Sequence, residues 1–362
     1  LRGNFSLTSD YIDCNQLMKA MNSGMQYSEQ HLATAGQSVM DEESFVTMDT
    51  HTLQDSIATA TLDTTDRVFV IPANLDITLH TNAQKIDFKD AELTNVLGEV
   101  IIRDQSINLS NLKMDSNIGR GNMTMFYTAK DYSGASAGFD LDMEDVMVEK
   151  LIGLYPAIDT LVPMLRSFEG VVDCQVTATC KMDSTMSLKL PSLHSACYLH
   201  GENMVLLDGE TFTEISKTLM FKNKKRNVID SISVDLAIKD NKIEVFPFLV
   251  EMDRYKVAVG GTHNLDMTFN YHLSVLKSPV PFKLGIDITG NLDDFKYKIV
   301  KCRYKDLFKP AKEAELDSTR TNVRKEIRES IRNQIKETAP ELVSSLSPNH
   351  TVTPPEGETN AL

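Results

Sequence analysis

The stretch LDMTFNYHLSVL places Leu265, Met267, Phe269, Tyr271, Leu273 and Val275 at every second position, with Asp266, Thr268, Asn270, His272 and Ser274 between them. Successive side chains of an extended chain point to opposite sides, so this stretch is a strand with one apolar and one polar face. The alternation leaves open what the apolar face touches. A second sheet would make an ordinary sandwich, and a bound apolar molecule would make a carrier.

The same period of two dominates the chain from Arg67 onward. VFVIPANLDITLH and KIDFKDAELTNVLGEVIIRDQSINLSNLKM read as successive strands separated by polar turns such as Asp104-Gln105, and GNMTMFYTA continues with Met123, Met125 and Tyr127 on one side. Ile232, Val234, Leu236 and Ile238 alternate with polar neighbours, as do Leu284, Ile286 and Ile288. There is an internal echo at a separation of 136 residues. Ile102-Arg103-Asp104 with Ile107, Leu109, Leu112 and Met114 matches Ile238-Lys239-Asp240 with Ile243, Val245, Phe248 and Val250. Both copies reach glycines, Gly119 and Gly121 or Gly260 and Gly261. A Met/aromatic strand follows each, GNMTMFYTA or LDMTFNYHL. A strand–turn–strand unit used twice points to a quasi-one-dimensional β architecture.

Departures from the period set the expected organisation. Residues 1–22 read as the end of an upstream β unit, and 23–66, rich in Ser, Thr, Gln and acidic residues, as a flexible loop or linker. The β domain spans 67–305. A helical insert is expected at 144–168, broken by Pro156 and Pro163, with a second short helix at Thr211–Phe221. Residues 306–340 form a charged helix whose single stripe is Val323, Ile327, Ile331 and Ile335, narrow enough to suggest docking along an edge. A Pro/Ser/Thr-rich tail, 341–362, reads as disordered.

Bulk properties narrow the function classes. The 362 residues carry a net charge of −14, which disfavours a nucleic-acid backbone as partner. No apolar run approaches the roughly 20 residues that span a bilayer. The chain opens on Leu1 within a strand-like stretch, so we expect a C-terminal piece of a longer protein with any anchor upstream. The five cysteines form no CxxC pair; Cys174 and Cys180 fall on the apolar side of VVDCQVTATCKM and read as buried small hydrophobes.

A search for catalysis finds little. The eight histidines give no HxxxH or HExxH spacing, and GxSxG, P-loop and GxGxxG are missing. His272, on the polar face of its strand, reads as a surface residue. The paired glycines of NIGRGNM and VGGTHN each read as joining two strands rather than starting a helix, which disfavours phosphate binding. Asp253 and Arg254 are adjacent on a strand and point apart, which suggests structural ion pairing. We therefore expect no enzyme, no metal and no cofactor. What stands out is 17 methionines with no tryptophan, many on the strand faces, since flexible Met-lined surfaces accept varied apolar partners.

GEVIIRDQSINLSNLKM, PAIDTLVPMLRSFEG, GETFTEISKTLMFKNKK and FPFLVEMDRYKVAVGGTHNLDMTFNYHLSVLKSPVPFKLGIDITGN, in that order, resemble the C-terminal region of AsmA-like proteins. The resemblance covers roughly Arg67 to Tyr304. It implies a mostly β fold, an elongated, curled antiparallel sheet forming a groove, with short capping helices and a C-terminal helix. It also implies a Gram-negative envelope protein, tethered to the inner membrane by an upstream segment, lying in the periplasm, and serving phospholipid transport and outer-membrane assembly. The implied partners are phospholipid acyl chains and other envelope proteins. The candidate groove residues are Met123, Met125, Tyr127, Ile243, Val245, Leu265, Met267, Phe269, Tyr271, Leu273, Val275, Leu284, Ile286 and Ile288. The alternative is an interaction module that tethers or regulates assembly factors, its apolar face filled by protein.

Overall fold

A computed structural model describes residues 1–17, 19–20, 68–88, 91–150, 168–206, 227–252, 255–264, 268–278, 283–291 and 294–343. Its strands are β1 (Arg2–Ser9), β2 (Ile12–Asp13), β3 (Asp76–Phe88), β4 (Ala91–Arg103), β5 (Ser106–Ser116), β6 (Arg120–Asp131), β7 (Gly134–Met147) and β8 (Phe168–Glu169). They continue with β9 (Val171–Asp183), β10 (His194–Leu206), β11 (Asn227–Lys239), β12 (Lys242–Met252), β13 (Tyr255–Asn264), β14 (Phe269–Lys277), β15 (Leu284–Gly290) and β16 (Phe295–Val300). All belong to one sheet that runs in chain order from β1 to β16 and does not close on itself. The expected curled antiparallel sheet is what forms, except at its start, where β1 and β2 pair parallel with β3.

The described part of the echo holds at the level of geometry, with one shift. The β4–β5 and β11–β12 hairpins both turn through two residues of positive φ, Asp104-Gln105 (50° and 58°) and Asp240-Asn241 (53° and 60°). This is the turn whose twist suits a two-residue hairpin. The strands that follow are each interrupted by a bulge, between Leu109 and Leu112 in β5 and between Val245 and Phe248 in β12. Those positions are again 136 apart. The third strand of the echo is β6 in one copy and β13 in the other, rather than β14. Gly260 and Gly261 lie inside β13 instead of joining two strands. Gly260 faces the β12 bulge, where an added Cβ would lie 2.9 Å from the Cα of Pro247.

Bulges supply the bends. Asn111 (φ 53°) in β5 and Asp145 (φ 56°) in β7 sit where an extra residue enters the strand, and both types tolerate the left-handed region. β7 runs on to Met147, so the expected helical insert does not begin at Glu144; a helical turn starts at Val148, and 151–167 lie outside the described residues. So do the expected helix at 211–221, the whole of the expected linker 23–66, and residues 344–362 of the expected tail; its first three residues, 341–343, are not disordered but helical, with Leu342 buried.

The C-terminal helix α1 (Pro310–Thr338), followed by α2 (Pro340–Val343), does not lie along an edge. It crosses the sheet. Ile327, Ile331 and Ile335, one turn apart, are buried with Ile101 of β4, Phe126 of β6 and Ala196 of β10. Polar contacts mark its course strand by strand. Arg320 donates to the Pro247 carbonyl of β12; Arg324 pairs with Asp235 of β11 at 2.7 Å; Arg328 pairs with Asp140 of β7 at 2.8 Å. Thr338 meets Asn108 of β5 at 3.0 Å, and Glu341 meets Arg103 of β4 at 2.7 Å. From Arg320 to Thr338 α1 advances about 27 Å, and the seven adjacent strands from β12 to β5 span about 29 Å, so the axis runs nearly at right angles to the strands.

Candidate functional site

Directly paired residues of neighbouring strands share a face, so the pairing register converts each candidate residue into a position on the sheet. One row reads Phe5, Leu79, Val100, Leu109, Met125, Phe139, Ala178, Ser195, Ile238, Ile243, His263, Phe269, Gly290 and Phe295. It passes through fourteen strands, from one edge to the other, without a carboxylate, lysine or arginine. The next row reads Leu112, Met123, Leu141, Val176, Cys197, Leu236, Val245, Gly261, Tyr271, Ile288 and Tyr297. Again no charge intervenes. Leu273 pairs with Ile286 and Val275 with Leu284 to extend the face along the strands.

Twelve of the fourteen expected groove residues therefore share this one face, while Leu265 and Met267 lie outside the described residues. Met123, Met125, Val245, Phe269, Leu273 and Leu284 are half-buried; Tyr127, Ile243, Tyr271, Val275, Ile286 and Ile288 are buried. Burial pushes the Tyr271 hydroxyl up to about 12. At the β16 edge the face is open, with Tyr297 at 49 % and Ile299 at 61 % exposure. Two short pieces fold over its other parts. Val68 and Ile71 pack on Tyr127 and Ala135, with the Tyr127 hydroxyl donating to the Phe69 carbonyl at 3.0 Å. Leu193, after the 3-10 turn Leu190–Ser192, packs on Leu236 and Ile243.

The cysteines behave as small hydrophobes on this surface. Cys174 and Cys197 lie together in it, and the neighbouring Cys174 thiol and burial push the Cys197 thiol well up. Burial does the same to Cys180. All five cysteines are free. Leu141, Phe139, Val176, Leu236 and Ile238 belong to the face as fully as the expected residues do. Their signal was present in the alternation of Phe139, Leu141 and Met143 in GASAGFDLDMEDVM and in the register, which the sequence does not display.

The opposite face carries α1 and a hydrogen-bonded cluster that the sequence reading placed at the surface. His272 is 3 % exposed. Its Nδ1 lies 2.6 Å from Asp287 and its Nε2 2.9 Å from the Ser274 hydroxyl. The order Asp, His, Ser is that of a hydrolytic triad. Here, though, Ser274 is fully buried and its oxygen accepts the Tyr304 N–H at 3.0 Å, so the hydroxyl faces backbone rather than solvent. The cause of the misplacement is the segment after β16, which returns over β15 and β14 and covers this polar face.

Among the described residues no group of His, Cys, Asp and Glu is arranged to hold a metal ion, and no helix is long and apolar enough to cross a membrane. No family model, curated protein or solved structure matches the chain.

Proposed function

We propose that the chain is a lipid-handling module that holds acyl chains against the uncharged face of its sheet and performs no chemistry on them. The observation that carries this reading is the edge-to-edge row from Phe5 to Phe295, crossed by no carboxylate, lysine or arginine. Burying a methylene is worth about 0.8 kcal/mol, so a long acyl chain gains on the order of 10 kcal/mol on such a surface. Successive strands offer nearly equal apolar contacts, so a bound chain slides from one to the next without a deep well. Half-buried methionines along the face adapt to its shape. The resemblance to AsmA-like proteins supports placing the module in a Gram-negative envelope, tethered to the inner membrane and serving phospholipid movement and outer-membrane assembly.

The second reading is that protein fills the same face and the chain tethers or regulates envelope assembly factors. The packing of Val68–Ile71 on Tyr127 favours it, because that corner is already covered by the chain itself. Photocrosslinking to phospholipid in vesicles separates the two. Phe269→Asp and Leu273→Asp put charge into the face at half-buried positions; we expect loss of lipid crosslinks with the far-UV dichroism unchanged. Global unfolding of both variants, or absence of crosslinked and co-purified phospholipid in the wild type, favours the protein-filled face.

A further inference from the structure

We propose that His272 is an acid-sensitive latch that fixes the root of the C-terminal strap to the sheet. Residues 301–304 leave the edge strand β16 and cross back over β15 and β14 toward α1. Two backbone N–H groups hold them down. Arg303 N–H points at Nε2 of His272 at 3.2 Å, and Tyr304 N–H points at the Ser274 hydroxyl at 3.0 Å. The Arg303 guanidinium also pairs with Asp287, and the Tyr304 ring meets the imidazole edge-on at 5.0 Å.

The latch needs the neutral imidazole. With Nε2 accepting the Arg303 N–H at 3.2 Å and facing the Ser274 hydroxyl at 2.9 Å, Nδ1–H is left to donate to Asp287. An imidazolium has no acceptor. On protonation, Nε2–H has the Ser274 oxygen 2.9 Å away to accept it, and the Arg303 N–H, 3.2 Å from the same nitrogen, faces a donor where it had an acceptor. The second hook survives, because the Ser274 oxygen still accepts from Tyr304. The latch is thus half-released rather than destroyed.

The surrounding charges come from each neighbouring strand. Asp287 of β15 favours the imidazolium; the Arg303 guanidinium, and Lys298 of β16 directly opposite Asp287, oppose it. On the β13 side the residue opposite His272 is Gly260, which contributes no charge. The remaining contacts are the neutral Ser274 and Tyr304 and the backbone at Gly285. The latch is closed while the imidazole is neutral and eased once it carries a second proton.

The test is amide exchange of the full chain, followed residue by residue by NMR and corrected for intrinsic rates. Over a descending pH series carried through the protonation of the imidazole, we expect the Arg303 amide to lose at least about tenfold in protection while Leu273 in the adjoining strand keeps its own. The imidazole 15N shifts of His272 should report an Nδ1–H tautomer at the higher pH and move with the same midpoint. His272→Gln supplies a non-titrating acceptor and donor, and its Arg303 protection should not change across the interval. The proposal is overturned if Arg303 protection is constant while the imidazole protonates. It is equally overturned if the imidazole stays neutral throughout, or if the wild-type loss persists in His272→Gln.

Discussion

At the scale of single residues, the apolar face is most exactingly read through Tyr271. Its hydroxyl ionises only at about 12 in the fold, because burial disfavours the phenolate, against about 10 in an unfolded chain. Between those values the unfolded chain has given up the proton and the folded chain has not. The stabilisation from neutral Tyr271 is therefore complete below about pH 10 and lost as the pH climbs toward about 12. Tyr271→Phe should flatten this fall: comparing urea midpoints at moderately and strongly alkaline pH, the wild type loses more stability than the variant. An equal loss in both would mean that Tyr271 is not shielded from water. Asp235 shows the opposing principle on the other face. Burial raises its carboxyl above the ordinary value, and Arg324 and Arg320 only partly pull it back. The pair contributes direction to the docking of α1 more than net energy.

At the scale of elements, α1 divides its anchoring between two kinds of contact. Ile331 is 1 % exposed and sits in the middle of the buried stripe, so Ile331→Ala should cost about 2–5 kcal/mol in equilibrium unfolding. Arg328 pairs with Asp140 and Asp142 but is a quarter exposed, and solvent screening reduces such a pair to about 1 kcal/mol or less, so Arg328→Ala should cost much less. If the two variants cost the same, ion pairing rather than the isoleucine stripe holds the helix. The stripe itself was plain in the sequence, as was every described strand of the domain that alternates cleanly. Its docking place was not, because a period of four along a helix says nothing about which surface receives it. The bulges lay half in view. Ile107, Leu109, Leu112 and Met114 step by two, then three, then two, as do Ile243, Val245, Phe248 and Val250. A step of three inside an alternating strand is the trace of an extra residue. The continuation of the face along β5 and β12 rests on that extra residue, since without the bulge Leu112 and Phe248 would turn to the other side. His272 was misread for a different reason. Its neighbours on the polar face are polar, and only a segment thirty residues later in the chain removes them from water.

At the scale of the molecule, α1 acts as a crossbeam. It touches β12 at one end and β5 at the other, where α2 carries the contact on to β4, while β14 and β15 lie beyond it under the 301–304 strap. The strands it spans are tied to one helical rod, and the strands past it are not. Ile331→Asp, which unseats the rod, should raise amide exchange across β4–β12 and leave β14 and β15 as they were. A uniform rise over all strands would show that the sheet bends as one piece.

The rows described above also end without punctuation. The longer one begins at Phe5 on β1 and stops at Phe295 on β16, and among the described residues neither outer strand is paired on its far side. Nothing in the row marks a first or a last place, because each strand supplies one position and asks only for a neighbour. Such a surface has no intrinsic length. Its reach is counted in hairpins, each adding about 10 Å, and inserting or removing one alters the span while leaving the local contacts of every other strand unchanged.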